Sequence, residues 1–218
     1  PNDARALFDL ALVLELGDDL DGAERRYREV IAMHPAFAEA LNNLGLLLHD
    51  RERYDEARGL LERAIAARPG YGEAHGNLGL VLEALDDLEG AIGRYRAATR
   101  LLPNDGLQHA NLGFALLTAG RRDEARVSLL RARRLAEGDD VLLREVAVGL
   151  RNVGEGADAL RVFEALIAEE DDAATRAELH VEAGLCAAVI DRGDVAERHA
   201  RAATELAPRH AGAFILLG

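Results

Sequence analysis

One spacing constrains this chain more than any other feature. Pro35, Pro69 and Pro103 recur every 34 residues, and the triplet Asn-Leu-Gly recurs in step at 43–45, 77–79 and 111–113. A period of that length belongs to a helix-turn-helix module too small to bury its own apolar face, so successive copies must stack on one another. Counted from the prolines, repeats cover 4–37, 38–71, 72–105, 106–139, 140–176 and 177–210, and residues 211–218 begin a seventh. The fifth repeat is three residues longer than the rest, and the excess is expected in the acidic connection from Glu169 to Asp172. The reading is one continuous array over 1–218.

Two internal registers support helices. The first carries a large residue followed by a small one: Leu10-Ala11, Leu44-Gly45, Leu78-Gly79, Leu112-Gly113, Val146-Ala147, Ala183-Gly184 and Leu217-Gly218. Glycine inside a helix costs about 0.5–1 kcal/mol relative to alanine. Its return at one register predicts a helix crossing too close for a Cβ. The second register places a small, a bulky and another small or aliphatic residue on one stripe: Ala23/Tyr27/Val30, Ala57/Leu61/Ala64, Ala91/Tyr95/Ala98, Ala125/Leu129/Ala132, Ala159/Phe163/Leu166 and Ala196/Ala200/Ala203. Spacings of four and three keep each set on one helical face.

The period, the Leu-Gly pair, the Ala-aromatic-Ala stripe and the closing prolines (Pro35, Pro69, Pro103, Pro208) together resemble the tetratricopeptide repeat family over essentially the whole chain. Two departures stand out: Leu7, Leu41, His75, His109, Leu143 and His180 replace the usual aromatic of the first helix, and Glu137 and Asp171 replace closing prolines. The resemblance implies an all-α, right-handed superhelical solenoid of about six complete repeats. Its first helices would line a concave groove that binds protein or peptide, which makes the chain a non-catalytic interaction scaffold.

The same resemblance assigns Asp9, Asn43, Asn77, Asn111, Glu145 and Glu182 to equivalent groove positions. A carboxamide offers both donor and acceptor, as an extended peptide backbone requires. This asparagine column resembles that of O-linked N-acetylglucosamine transferases. One turn on, Leu80 and Phe114 would add apolar contact, and Glu39 and Glu73 further acid. Over the presumed lining, acids outnumber arginines nine to three, against 39 acidic to 26 basic residues in the chain, so a basic or amphipathic partner is expected. The clamp with which chaperone-binding members hold a terminal carboxylate is excluded. Its positions carry Phe8, Leu12, Asn43, Glu73 and Asn77, which cannot neutralise an anion.

Other functions are argued against by composition. A net charge of −13 is wrong for phosphate recognition. All 26 basic residues are arginine, which fits a GC-rich bacterial genome. The single cysteine, Cys186, lies in an apolar run and reads as a small buried hydrophobe. Equivalent histidines sit a repeat apart and cannot share a metal. No catalytic set, cofactor or membrane span is visible. Pro1 in a closing-proline register and Gly218 midway through a first helix suggest a piece of a longer protein. An enzyme served by this array as a recruiting arm, for example a glycosyltransferase or sulfotransferase, is the alternative, and self-association through 211–218 a third. With both ends truncated, the compartment is unknown; the lack of a leader favours the cytoplasm.

Overall fold

The computed structural model describes residues 3–207, and among them it contains twelve α-helices and no strand. They are α1 (Ala4–Leu16), α2 (Leu20–Met33), α3 (Ala38–Asp50), α4 (Tyr54–Ala67), α5 (Gly72–Ala84), α6 (Leu88–Leu101), α7 (Gly106–Thr118), α8 (Arg122–Leu135), α9 (Asp140–Asn152), α10 (Gly156–Glu169), α11 (Ala173–Val189) and α12 (Gly193–Leu206). Odd and even helices pair as hairpins, giving the all-α helical repeat that the period implies. The chain forms two compact units, which divide between Asn104 and Asp105.

In the first unit each helix of α1–α6 packs on its successor, and α3 also meets α5. In the second, α7–α12 follow the same order, with α7 against α9 and α9 against α11. First helices therefore adjoin first helices from α3 to α5 and from α7 through α9 to α11, and α1 reaches α3 through Tyr27, which bonds both Glu15 and Asn43. Every residue of the small-bulky-small stripe is buried, from Ala23, Tyr27 and Val30 through Ala196, Ala200 and Ala203. Burying a side chain of leucine size stabilises by roughly 1.5–3 kcal/mol, so Leu61, Leu129 and Phe163 at the stripe's centre hold each hairpin shut.

The glycine register behaves as its spacing implies. A Cβ on Gly45 would stand 2.7 Å from Leu61 Cγ, on Gly79 2.4 Å from the Tyr95 ring, and on Gly113 2.7 Å from Leu129 Cγ. Leu44, Leu78 and Leu112 beside them are buried, whereas Leu10 is 42 % exposed, because nothing among the described residues covers that side of α1.

Turns within hairpins repeat one conformation. Asp18, Glu52, Asp86, Gly120, Gly154 and Asp191 all have positive φ. The acid pairs Asp18-Asp19 and Asp86-Asp87 divide the labour, since Asp18 and Asp86 take the left-handed position while Asp19 and Asp87 accept from the amides of Gly22 and Gly90 at 2.9 Å. The three extra residues are not in the connection before α11. That connection is short, and α11 runs for 17 residues where the other first helices have 13. Asp172 caps it by accepting from Thr175 N at 2.8 Å, and Ala173 and Ala174 are good helix formers, so the insertion lengthens the helix. Pro208 and the 211–218 segment, including the proposed self-association surface, lie outside the described residues.

Candidate functional site

The first-helix face of the first unit is built from α1, α3 and α5. Asn43 and Asn77 lie on it, half-buried, joined by a residue that the sequence reading overlooked. Asn42, 5 % exposed, accepts from Asn77 Nδ2 at 2.9 Å and donates to Asn43 Oδ1 at 3.1 Å. Asn43 Nδ2 in turn donates to the Tyr27 hydroxyl at 3.4 Å, and that hydroxyl donates to the Glu15 carboxylate at 2.6 Å. Five side chains thus run donor to acceptor from Asn77 to Glu15. Each groove carboxamide spends part of its capacity on this chain, and each keeps an N–H and an oxygen lone pair. The bonds fix the amides' orientation. Asn42 could have been found in the sequence, because its equivalents Phe8, Gly76 and Ala110 are apolar or small, and an isolated amide at such a register needs a buried partner.

A second tyrosine repeats the pattern two hairpins on, where Tyr95 donates to Glu83 at 2.5 Å. Both tyrosines are fully buried. Burial and the adjacent carboxylate push each phenol well above its ordinary pKa, with Asn43 partly opposing this at Tyr27. They stay protonated as donors.

The acids placed in this groove fare differently from one another. Asp9 pairs with Arg5 one turn away at 3.1 Å, both well exposed, a contact worth little and readily exchanged. Glu39 is held by Arg68 at 2.5 Å, and the Arg68 guanidinium lies 4.8 Å from the Tyr71 ring centre. Burial, the largest single influence on Glu39, opposes its ionisation, but the Arg68 bond, a backbone hydrogen bond and the charges of Arg68 and Arg5 together leave the carboxyl below its ordinary pKa. Glu73 is exposed and forms no ion pair among the described residues. Leu80 is half-buried on α5.

In the second unit, Asn111 is half-buried on α7. Phe114 is half-buried, and the notch that receives it is made by Gly149 of α9, where a Cβ would lie 2.8 Å from the ring. Its edge is therefore partly spent on the core. Glu145 lines a cavity of about 380 Å³ between α9 and α11, with Arg144 and Val148 beside it and Glu178 and Val181 opposite. Phe163 and Leu179 make its floor apolar. Arg144 stands 3.9 Å from Glu170, and Arg151 pairs with Glu182, while Glu145 and Glu178 form no ion pair among the described residues. An acid-rimmed, apolar-floored cleft of this kind suits an apolar side chain flanked by a basic one.

The histidines do not gather into a metal centre: among the described residues no three metal-ligating side chains converge. His75 is buried with Nε2 3.2 Å from the Pro69 carbonyl, and burial lowers its pKa despite that contact. His180 meets His199 instead, Nδ1 to Nδ1 at 2.9 Å. Cys186 is buried, and burial raises its thiol to about 11. No helix among the described residues is long and apolar enough to cross a membrane.

Stacked hairpins with glycine at the helix crossing and a shared first-helix face define a helical-repeat protein. The tetratricopeptide repeat profile matches residues 14–72 and 50–106, so this stretch consists of tetratricopeptide repeats, and helical hairpins of the same kind continue to α12. No curated protein matches the sequence significantly. Among solved structures, PilW, a type IV pilus biogenesis factor, is 16% identical with a TM-score of 0.77, over 99% of this chain and 98% of its own. YrrB, a TPR protein with an unusual peptide-binding site, is 22% identical with a TM-score of 0.70, over 87% of this chain and 96% of its own. A variant of the O-GlcNAc transferase of Thermobaculum terrenum is 32% identical with a TM-score of 0.57, over 60% of this chain but only 26% of the enzyme.

Proposed function

We propose that the chain is a non-catalytic scaffold that holds a peptide or extended segment, basic or amphipathic, along the first-helix faces of its hairpins. The observation that carries this reading is the oriented pair Asn43 and Asn77, each keeping a donor and an acceptor on the open face of the first unit. Asn111 plays the same part in the second unit. Leu80 and the exposed part of Phe114 supply apolar contact, and Asp9, Glu39, Glu73 and Glu145 supply the charge that draws a basic partner. A peptide-binding site in a protein of the same fold is consistent with it.

The test uses a fluorescein-labelled peptide selected on this protein from a random library. Replacing Asn43, Asn77 and Asn111 together by alanine should weaken its binding at least tenfold, since each hydrogen bond contributes about 1 kcal/mol. Helicity by circular dichroism should be unchanged. Equal affinity in a folded triple variant would reject the asparagines as the backbone contacts.

The similarity to part of a glycosyltransferase favours a second reading, in which this array recruits substrates for an enzyme encoded alongside it. Sequencing the parent gene on either side decides that point.

A further inference from the structure

In the first unit, tyrosine and glutamate recur as a couple. Where the buried stripe has Tyr27 and Tyr95, the first helix facing it has Glu15 and Glu83; in the hairpin between, Leu61 stands with His49. Each glutamate is half-buried on the groove face and accepts one phenolic O–H, at 2.6 Å and 2.5 Å. A carboxylate has about four acceptor positions, so most of each remains open. Among the described residues neither forms an ion pair with an arginine, although this arginine-rich chain neutralises most of its other half-buried acids. Glu24 alone takes Arg28, Arg51 and Arg53. A leucine at the tyrosine position would close the hairpin equally well, as Leu61 does, and would leave no hydroxyl to satisfy.

We infer that Glu15 and Glu83 are paired receptors for two basic side chains of a single extended peptide, an assignment that rests on the groove-binding function proposed above. The phenol fixes each carboxylate's position at the groove wall, which lowers the ordering cost of the ion pair. Between them the peptide backbone crosses the Asn43 and Asn77 amides. The hydrogen-bond chain from Asn77 toward Glu15 leaves its terminal negative charge on the carboxylate. Packed helices lie about 8–10 Å apart, so two hairpins separate the receptors by roughly 16–20 Å. An extended chain covers that in about five or six residues at roughly 3.3 Å each. The partner therefore carries Arg or Lys twice, with that separation, on a segment free to extend.

The probe is a random peptide library of roughly ten residues, long enough for the span at roughly 3.3 Å per residue, panned on the protein and on the variant Glu15→Gln/Glu83→Gln. Glutamine keeps an acceptor for each tyrosine and removes only the charge. Peptides enriched on the parent protein should carry two basic residues about five or six apart, and should bind each single variant about five- to tenfold more weakly. Moving the second basic residue by two positions should cost a similar factor, and added salt should weaken the parent complex more than the variant one. Enriched peptides without the basic pair, or an unchanged affinity in the double variant, would overturn these receptors while leaving groove binding standing. A parent protein that enriches no peptide would overturn both.

Discussion

Two alanine substitutions should move stability in opposite directions. At Gly79 the added Cβ falls 2.4 Å from Tyr95 Cε1, whereas carbon atoms pack at about 3.5–4.0 Å. The ring would have to retreat by about 1 Å or more to restore that contact. It cannot do so alone, because Tyr95 is fully buried and its hydroxyl is tied to Glu83. Helices α5 and α6 must part, at an overpacking cost of about 1–3 kcal/mol. The helix gains about 0.5–1 kcal/mol from losing a glycine, so Gly79→Ala should destabilise by about 1–2 kcal/mol net. At Gly93, on α6, a Cβ meets nothing within 4 Å. Gly93→Ala should therefore keep the whole propensity gain of about 0.5–1 kcal/mol. Urea unfolding followed by circular dichroism should separate the two midpoints by about 1 M, taking a slope of about 1–3 kcal/mol per molar. Because the ring is the obstacle, Gly79→Ala combined with Tyr95→Ala should cost less than the sum of the two singles. Midpoints that shift the same way, or strict additivity, would refute the close-crossing account.

Acid should loosen the last hairpin. Burial lowers His180 and His199 below the ordinary 6.5, with His199 and Arg176 adding to the effect at His180, and with Glu164 opposing and Arg198 adding to it at His199. The unfolded chain then binds more protons, so stability is full above the unfolded pKa and falls as pH drops through 6.5 toward the folded values. A urea midpoint that stays level down to pH 5 would contradict this, and His180→Gln/His199→Gln should flatten the dependence. Cys186 should resist thiol reagents in the folded protein, because it is buried and its thiol sits at about 11, and should react fully once urea unfolds the chain. Rapid labelling under native conditions would mean that α11 opens readily.

Much of the fold was legible because the repeat states each constraint several times. Gly45, Gly79 and Gly113 each face the bulky member of the stripe, and one glycine alone would not have singled out a close crossing. The site was less legible. Asn43, Asn77 and Asn111 recur on the first helices, but the hydrogen bonds of Asn43 and Asn77 run through Asn42, which has no equivalent in the other repeats. The Tyr27–Glu15 couple joins positions 12 residues apart on different helices, which a reading by columns separates into core and lining. Phe114 was expected to face a ligand, yet Gly149 of the following repeat leaves room for its ring, a packing relation that neither position reveals alone. The three extra residues sat in a connection only because acidic residues read as turn; Asp172 instead acts as a cap and lets α11 start early.

The central claim is that ligand lies along the first helices. A selected peptide bearing a photoreactive benzophenone at successive positions, cross-linked and mapped by mass spectrometry, tests it most directly. The account predicts adducts on α1, α3 and α5, near Glu15, Asn43, Asn77 and Glu83. Adducts confined to α2, α4 and α6 would contradict it.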